Sequence, residues 1–323
     1  MRPPFKITNA TLSLCTEIAK VIGQYEGISS PTPQPKLRRQ NRIKTIHGSL
    51  AIEGNTLNLD QITAILDGRQ VVGDPREILE VRNAITAYEG AHKWNHVIND
   101  DLLKAHSVLM SGLIPDAGRY RTTNVGIIKG SKVGHVAPKP VLVPKLMSDL
   151  FNFLKNDNET PLLVKACIFH YELEFIHPFS DGNGRIGRFW QHVILLSESN
   201  IFSFIPVESV IKDRQDAYDH ALAASDKAGE ATEFIEFTLT TIRDSLVGLM
   251  EQTRAKPLTA EDRLDHAHKK FSTNSFARKD YMNLFKTIST ATASRDLLAG
   301  VESGQLKKIG KNAMTEYAFQ IVK

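Results

Sequence analysis

The run His177-Pro178-Phe179-Ser180-Asp181-Gly182-Asn183-Gly184-Arg185-Ile186-Gly187-Arg188 brings together the residue types that phosphate chemistry needs. Gly182, Asn183 and Gly184 can adopt backbone angles that aim several N–H groups the same way, and they fall where a helix begins. A helix N-terminus, with free N–H groups and the positive end of the dipole, binds phosphate. Arg185 and Arg188 are three apart on that helix and project from one face, each offering a planar fork of donors. Gly187 lies between them and is counted with the phosphate-binding residues. Asp181 is a hard oxygen ligand that suits Mg²⁺. His177 stands at the mouth of the loop, and an imidazole with an ordinary pKa of about 6.5 can take a proton from an incoming hydroxyl. Spacing alone leaves open which phosphorus is attacked, and the cradle reads phosphates better than bases.

Two strongly periodic helices position this loop. In the first, Leu162, Ala166, Phe169 and Leu173 share one face; in the second, Ile186, Phe189, Trp190, Val193 and Ile194 do. Between them Ile176–Gly184 holds a proline, two glycines and an Asp-Gly pair, so it is not helical throughout. Upstream, helices are predicted over 8–26, 37–53, about 75–94 and 100–113, with Ile43, Ile46 and Leu50 at helical spacing in the second. The Ser-, Pro- and Gly-rich stretch Gly27–Pro35 reads as a loop, and Gly54-Asn55 as a helix stop. Val125–Ile128 and Lys132–Val136 flank Gly130-Ser131 and predict a β-hairpin. Helix continues to about Thr253, Lys256-Pro257 marks a boundary, and the remainder is basic and helical before short β-like pieces at Gln305–Ile309 and Glu316–Val322 around Gly310-Lys311-Asn312.

The bulk figures suit a soluble globular chain of about two domains: 323 residues, 41% apolar and 24% charged. A net charge of +4 does not by itself argue for nucleic acid or an anionic membrane. The two cysteines, Cys15 and Cys167, form neither a metal spacing nor a disulfide framework, and Cys167 sits in an apolar run as a buried thiol. The opening MRPPFKITNATLS lacks the apolar centre of a signal peptide, and no stretch approaches the roughly 20 apolar residues of a membrane-spanning helix. The expectation is a cytoplasmic protein with no membrane partner.

The run at 177–188 resembles the signature of the Fic family, His-Pro-Phe-x-Asp-Gly-Asn-Gly-Arg-x-x-Arg, at every specified position. The resemblance covers about residues 35–250. It implies a mainly α fold: a Fic-type helical core with a short β-hairpin flap, here joined to a C-terminal winged-helix domain. The domains expected are 1–95 with an inhibitory helix, 96–253 as catalytic core, and 258–323. It also implies an activity, transfer of AMP from ATP to a Ser, Thr or Tyr hydroxyl of a target protein, with release of pyrophosphate. On that likeness His177 is the general base and Asp181 holds Mg²⁺. Gly182–Gly184 form the anion hole around the α- and β-phosphates, Asn183 contacts one of them, and Arg185 and Arg188 bind the β- and γ-phosphates. Pro178 and Phe179 shape and anchor the loop. A family branch of phosphotransferases, the Doc-like proteins, carries Lys where Gly184 stands, so Gly184 favours AMP transfer.

Further elements extend the likeness. Gly118-Arg119-Tyr120-Arg121 is similar to an element preceding the family's flap, and the flap itself falls at Val125, Gly126, Ile127 and Ile128 with the returning strand, holding a target segment as an added strand. Tyr218 resembles a tyrosine near the adenine pocket. Ser49-Leu50-Ala51-Ile52-Glu53-Gly54-Asn55 resembles the family's inhibitory motif, with Ser49 and Glu53 on one helix face. The resemblance pairs Glu53 with Arg188, which makes the chain self-inhibited; it also raises removal of AMP, with Glu53 orienting a water.

Residues 276–323 look like a winged helix, with a recognition helix inside Ser289–Ser303 and Arg295 exposed on it. Lys307, Lys308 and Lys311 lie on or near the wing; Arg278, Lys279 and Lys286 add charge, diluted by Asp280, Asp296 and Glu302. DNA or a protein is the partner expected there. Family members often form homodimers. The competing reading is a DNA-binding regulator whose core only senses ATP; related enzymatic alternatives are AMP removal and transfer of another nucleotide.

Overall fold

Apolar residues recurring at helical spacing account for most of the chain. The computed structural model describes residues 2–27, 35–129, 132–253, 259–285, 288–310 and 315–320. It divides into two compact units, Met1–Thr253 and Arg254–Lys323. The predicted boundary Lys256-Pro257 lies outside the described residues, as do the hairpin turn Gly130-Ser131, Lys286, Lys311 and Val322.

In the first unit, α1 (Asn9–Glu26) is started by Thr8, whose hydroxyl accepts from the Thr11 amide. It packs along α11 (Thr232–Thr253). α2 (Pro35–Ile52) buries Ile43, Ile46 and Leu50, as their spacing predicts. It stops at Gly54, whose φ of 92° is costly for other residues. α3 (Leu59–Leu66) follows with an Asn58 capping box. α4 (Pro75–Glu89) has an Asp74 cap and Pro75 in its first turn; it ends at Gly90 rather than running to 94. α5 (Asn99–Leu109) leads to the antiparallel hairpin β1 (Gly126–Lys129) and β2 (Lys132–Val136). Its register pairs Gly126 with Val136 and Ile127 with His135, with a bulge after Ile127. Val125 directly precedes β1.

α6 (Val143–Asn156), α7 (Leu162–Ile176), α8 (Asn183–Glu198), α9 (Val207–Asp213) and α10 (Gln215–Ala228) complete this unit before α11. The single apolar face expected for α7 is not what the fold has. Leu163, Val164, Ala166, Cys167, Ile168, Phe169, Tyr171, Leu173 and Ile176 are buried right round it, because α6, α8 and α11 all pack against it. A helix apolar on every side is the signature of a core position. Residues of α1 and α2 share one continuous core with residues of α7, α8 and α11.

In the second unit, α12 (Ala260–Phe271), α13 (Arg278–Leu284) and α14 (Thr290–Glu302) accompany a three-stranded antiparallel sheet of β3 (Phe276–Ala277), β4 (Leu306–Ile309) and β5 (Glu316–Phe319), in the order β3-β5-β4. This is the winged-helix arrangement. Leu264, Phe276, Tyr281, Leu297 and Phe319 fill its core, and Ser289 caps α14. Arg295, Lys307 and Lys308 are exposed. Asp296 does not dilute them at the surface. It is buried, and its oxygens accept from Arg263 at 2.6 and 2.8 Å and from the Tyr281 hydroxyl at 3.2 Å. A carboxylate this dry is kept only when paired.

Candidate active site

The loop between α7 and α8 is fixed from both ends. His177 closes α7 with φ of 49° and ψ of 60°, a left-handed conformation unusual for a side-chain-bearing residue. What holds it there is visible. The His177 amide donates to Leu173 O at 2.9 Å, and the His177 carbonyl accepts from Arg121 Nε at 2.7 Å. Arg121 is buried and spends the rest of its fork on the carbonyls of Thr123, Pro138 and Ile176 at 2.9, 2.6 and 3.3 Å. Its own amide donates to Pro178 O at 2.9 Å. The Gly-x-aromatic-Arg element thus ties the approach to the hairpin to the loop between α7 and α8.

Phe179 is fully buried and stacks on His106, with ring centroids 3.7 Å apart. His106 accepts from the Gly118 amide through Nδ1 at 2.8 Å, which leaves Nε2–H to donate to Asp181 O at 3.0 Å. Burial pushes this imidazole down to about 4, so it is neutral in that role. Sequence reasoning missed His106; nothing in its neighbourhood marks a histidine that acts on a loop far along the chain.

Asn183 turns its carboxamide inward, accepting from Phe179 N at 2.9 Å and donating to Phe179 O at 3.0 Å. Its side chain therefore closes the loop on itself, and what it offers a phosphate is backbone. Gly182 has φ of 82°, and a Cβ there would lie 2.5 Å from Met110 Sδ. Both the angle and the space require glycine.

A cavity of about 280 Å³ opens beside this loop. His177, Asp181, Gly182, Asn183, Gly184 and Arg188 line it, together with Glu53 and Tyr218. Arg188 is almost wholly enclosed, its side chain 1% exposed against 31% for Glu53. It donates through Nη2 to Glu53 Oε1 at 2.6 Å and to Ser49 O at 3.0 Å, and through Nε to Ser49 Oγ at 3.3 Å. Burial acts to lower the Arg188 pKa, but the nearby Glu53 carboxylate helps lift it above its ordinary value. The pair spans α2 and α8, so Ser49 and Glu53 meet the residue expected of them. Gly184 makes room: a Cβ at 184 would overlap Glu53 Oε1 and come within 3.0 Å of Arg188 Nη1.

Tyr218 is buried, and its hydroxyl meets His170 Nε2 at 3.2 Å. His170 is held at about 3 by burial first and by the Arg188 charge second. Two residues expected to bind phosphate, Arg185 and Gly187, lie outside the cavity lining. Arg185 turns to Glu80 of α4 and to Asp181, at 3.0 Å each. At Gly187 a Cβ would come within 3.1 Å of His170 Cδ2, so this glycine serves the close approach of α8 to α7. Gly126, Ile127 and Ile128, expected in the flap, lie in β1.

Among the described residues no group of three His, Cys, Asp or Glu could hold a metal ion. A resident, protein-caged cation is therefore not what these side chains fit. They do fit Mg²⁺ carried in by phosphates, which keeps its waters and needs only one or two carboxylates. Asp181, 41% exposed at the cavity's edge, is such a group.

A helical core whose interhelix loop leads into a helix N-terminus, with a β-hairpin between helices and Glu53 paired to the arginine of that helix, is the Fic-type architecture. Residues 97–195 match the Fic/DOC family. Over 99% of this chain and 98% of its own, a solved Fic family protein from Desulfovibrio desulfuricans is 41% identical, with a TM-score of 0.75. The chain belongs to the Fic family. It is also similar to the protein adenylyltransferase fic-1 of Caenorhabditis briggsae, 26% identical over 74% of this chain and 48% of that protein. A protein adenylyltransferase Fic of Nematostella vectensis is 29% identical over 71% and 53%. The chain thus spans about half the length of these curated relatives. No helix among the described residues is long and apolar enough to cross a membrane.

Proposed function

We propose that this protein transfers AMP from ATP to a hydroxyl side chain of a target protein and that Glu53 restrains it. The observation that carries the reading is the convergence of His177, Asp181, the α8 N-terminus and Arg188 on one cavity, with Glu53 paired to Arg188 inside it. The relatives named as adenylyltransferases support it.

In this reaction His177 takes the proton of the acceptor hydroxyl as its oxygen bonds to the α-phosphorus. The bond from that phosphorus to the bridging oxygen breaks, and pyrophosphate leaves. The amides at the start of α8 stabilise the charge on the phosphates, fixed in place before the reaction begins. Arg188, once free of Glu53, binds the terminal phosphate. Asp181 would hold Mg²⁺, which would neutralise phosphate charge. Tyr218, through His170, steadies the wall where the base sits, and the β1 edge at Val125–Ile128 takes the target segment. The acceptor is a protein; the exposed Arg295, Lys307 and Lys308 give the second unit a surface for a macromolecular partner.

The test is transfer of label from α-³²P-ATP with Mg²⁺ to the protein itself and to added lysate proteins. Wild type labels weakly. Glu53→Gly raises labelling about tenfold or more, the equivalent of one charge-assisted bond. His177→Ala in the Glu53→Gly background abolishes it. Nucleotide binding without any transfer in Glu53→Gly would make the core a sensor and overturn the proposal.

A further inference from the structure

Four charged side chains beside the phosphate loop form a closed ring of alternating sign. Arg185 donates to Glu80 Oε1 and to Asp181 Oδ1, both at 3.0 Å. Arg76 closes the other side, 3.5 Å from Asp181 Oδ2 and 3.9 Å from Glu80 Oε1. The two halves differ in burial. The side chains of Arg185 and Glu80 are 6% and 13% exposed; those of Arg76 and Asp181 are 58% and 41% exposed. The second Glu80 oxygen accepts from Asn55 Nδ2 at 2.9 Å, and Asn55 also donates to Glu77 O at 3.2 Å. The buried half is thereby anchored to the segment after α2 that also carries Glu53.

We propose that Glu80 is a positioning residue which neutralises Arg185 and so leaves the Asp181 carboxylate to be contested by Arg76 and an incoming divalent cation. The inference rests on the metal role proposed for Asp181 and adds two residues to it. The buried pair stays together, because separating it would leave charge in a dry environment. Arg76, exposed and at the longest distances, is the cation that gives way. Asp181 then has a single net competitor. Without the Glu80 charge, Arg185 turns its full charge on Asp181 and the site holds a metal less well. Without Arg76 the competitor is gone and the site holds it better.

The test titrates Mn²⁺ into the full chain with saturating non-hydrolysable ATP analogue, reading free Mn²⁺ by electron paramagnetic resonance. Glu80→Gln weakens Mn²⁺ binding roughly threefold or more, as expected for one unit charge removed near a partly buried site. Arg76→Ala tightens it roughly twofold or more on the same physical ground. The half-saturating Mg²⁺ concentration for labelling, measured in the Glu53→Gly background, moves in the same opposed directions. Opposite signs are the signature, since loss of structure weakens binding in both variants. Equal or unchanged Mn²⁺ affinities overturn the proposal. If Glu80→Gln does not fold, the exposed Arg76→Ala variant decides alone. The Mn²⁺ titration needs no transfer. Failure of AMP labelling in Glu53→Gly would therefore sink the reaction, while the two opposed shifts in metal affinity would still decide the role of the ring.

Discussion

Replacing Gly184 by alanine puts the Glu53–Arg188 pair to a thermodynamic test. Position 184 lies in the first turn of α8 and its φ is not in the left-handed region, so the backbone accepts alanine without strain. What does not accept it is Glu53, whose Oε1 occupies the place of the new methyl, with Arg188 Nη1 only 3.0 Å away. Arg188 is packed and cannot retreat; Glu53, near the end of α2 and partly exposed, must. The expected cost is that of a hydrogen bond between charged groups, about 1.5–3 kcal/mol. In a Glu53→Gly background the clashing carboxylate is gone, and Arg188 Nη1 is the neighbour that remains, at 3.0 Å. There the same substitution is neutral or stabilises by about 0.4–1 kcal/mol, through reduced freedom of the unfolded chain. The four proteins form a double-mutant cycle with a coupling of about 1.5–4 kcal/mol. For a unit of this size that is roughly 3–16 °C in the thermal midpoint. Differential scanning calorimetry, following the transition of the larger unit, reads it. Additive effects would refute the argument, because they would mean that Glu53 does not fill the space the glycine leaves.

Other consequences follow from burial and close approach. A Cβ at Gly48 would lie 2.6 Å from the backbone of Glu208 and Ser209, so Gly48→Ala must push α2 away from α9; it should cost about 1–3 kcal/mol in thermal unfolding and raise labelling from α-³²P-ATP, whereas an unchanged midpoint would deny the contact. Burial holds His106, His170 and His192 at about 4, 3 and 4, below the ordinary 6.5. The unfolded chain therefore binds more protons between these values, and the stability these groups contribute, full above 6.5, is lost as pH falls towards 4. A urea midpoint for the larger unit that stays flat from pH 6.5 to 4.5 would contradict this. Glu208 has the opposite sign, since burial lifts it from 4.5 to about 7 and the folded chain holds the extra proton. Glu208→Gln should gain stability relative to wild type as pH rises from 4.5 to 7, and a constant difference across that window would show that the carboxyl keeps its ordinary affinity for the proton in the folded chain.

The phosphate loop is legible in the sequence because it is a local pattern, and the pairing of Glu53 with Arg188 is legible through the resemblance of Ser49–Asn55 to the family's inhibitory motif. The order His-loop-Arg and the four-residue spacing of Ser49 and Glu53 each specify a geometry within one turn or one loop. The helices are legible for the same reason, with Ile43, Ile46 and Leu50 all going inside. What spacing does not contain is the identity of the element that faces each residue. Arg185 and Arg188 are three apart, which on a helix of 3.6 residues per turn separates them by about 60°. On a surface helix that is one face. On α8, covered on several sides, it is enough to send one arginine to Glu80 on α4 and the other to Glu53 at the end of α2. Gly187 belongs to the same lesson, a glycine counted with the phosphate-binding residues that serves helix packing. Asp296 reads as surface charge in the sequence because its partner Arg263 sits on another helix. His106 and Arg121 carry the loop from outside the signature, where residue type alone does not distinguish a clamp from an ordinary polar side chain.

The geometry at Gly184 also bears on how the brake would be released. The missing side chain leaves a space that Glu53 Oε1 now fills and that, in the proposed reaction, the end of the triphosphate needs. Carboxylate and phosphate cannot share it, since both are anions seeking the same Arg188 fork. ATP bound productively therefore has to displace a pair of about 1.5–3 kcal/mol, which lowers its apparent affinity for the productive pose roughly ten- to 150-fold. Nucleotide alone has no differential hold on α2 beyond that competition, so raising its concentration overcomes the brake only by mass action. A partner that moves α2 acts with more leverage. Gly48 sets α2 against the backbone of α9, and Asn55 ties its far end to Glu80, so a displacement at either anchor is carried to Glu53. Relief of inhibition should accordingly come from contacts made on α2 or α9, at a distance from the cavity where the chemistry takes place.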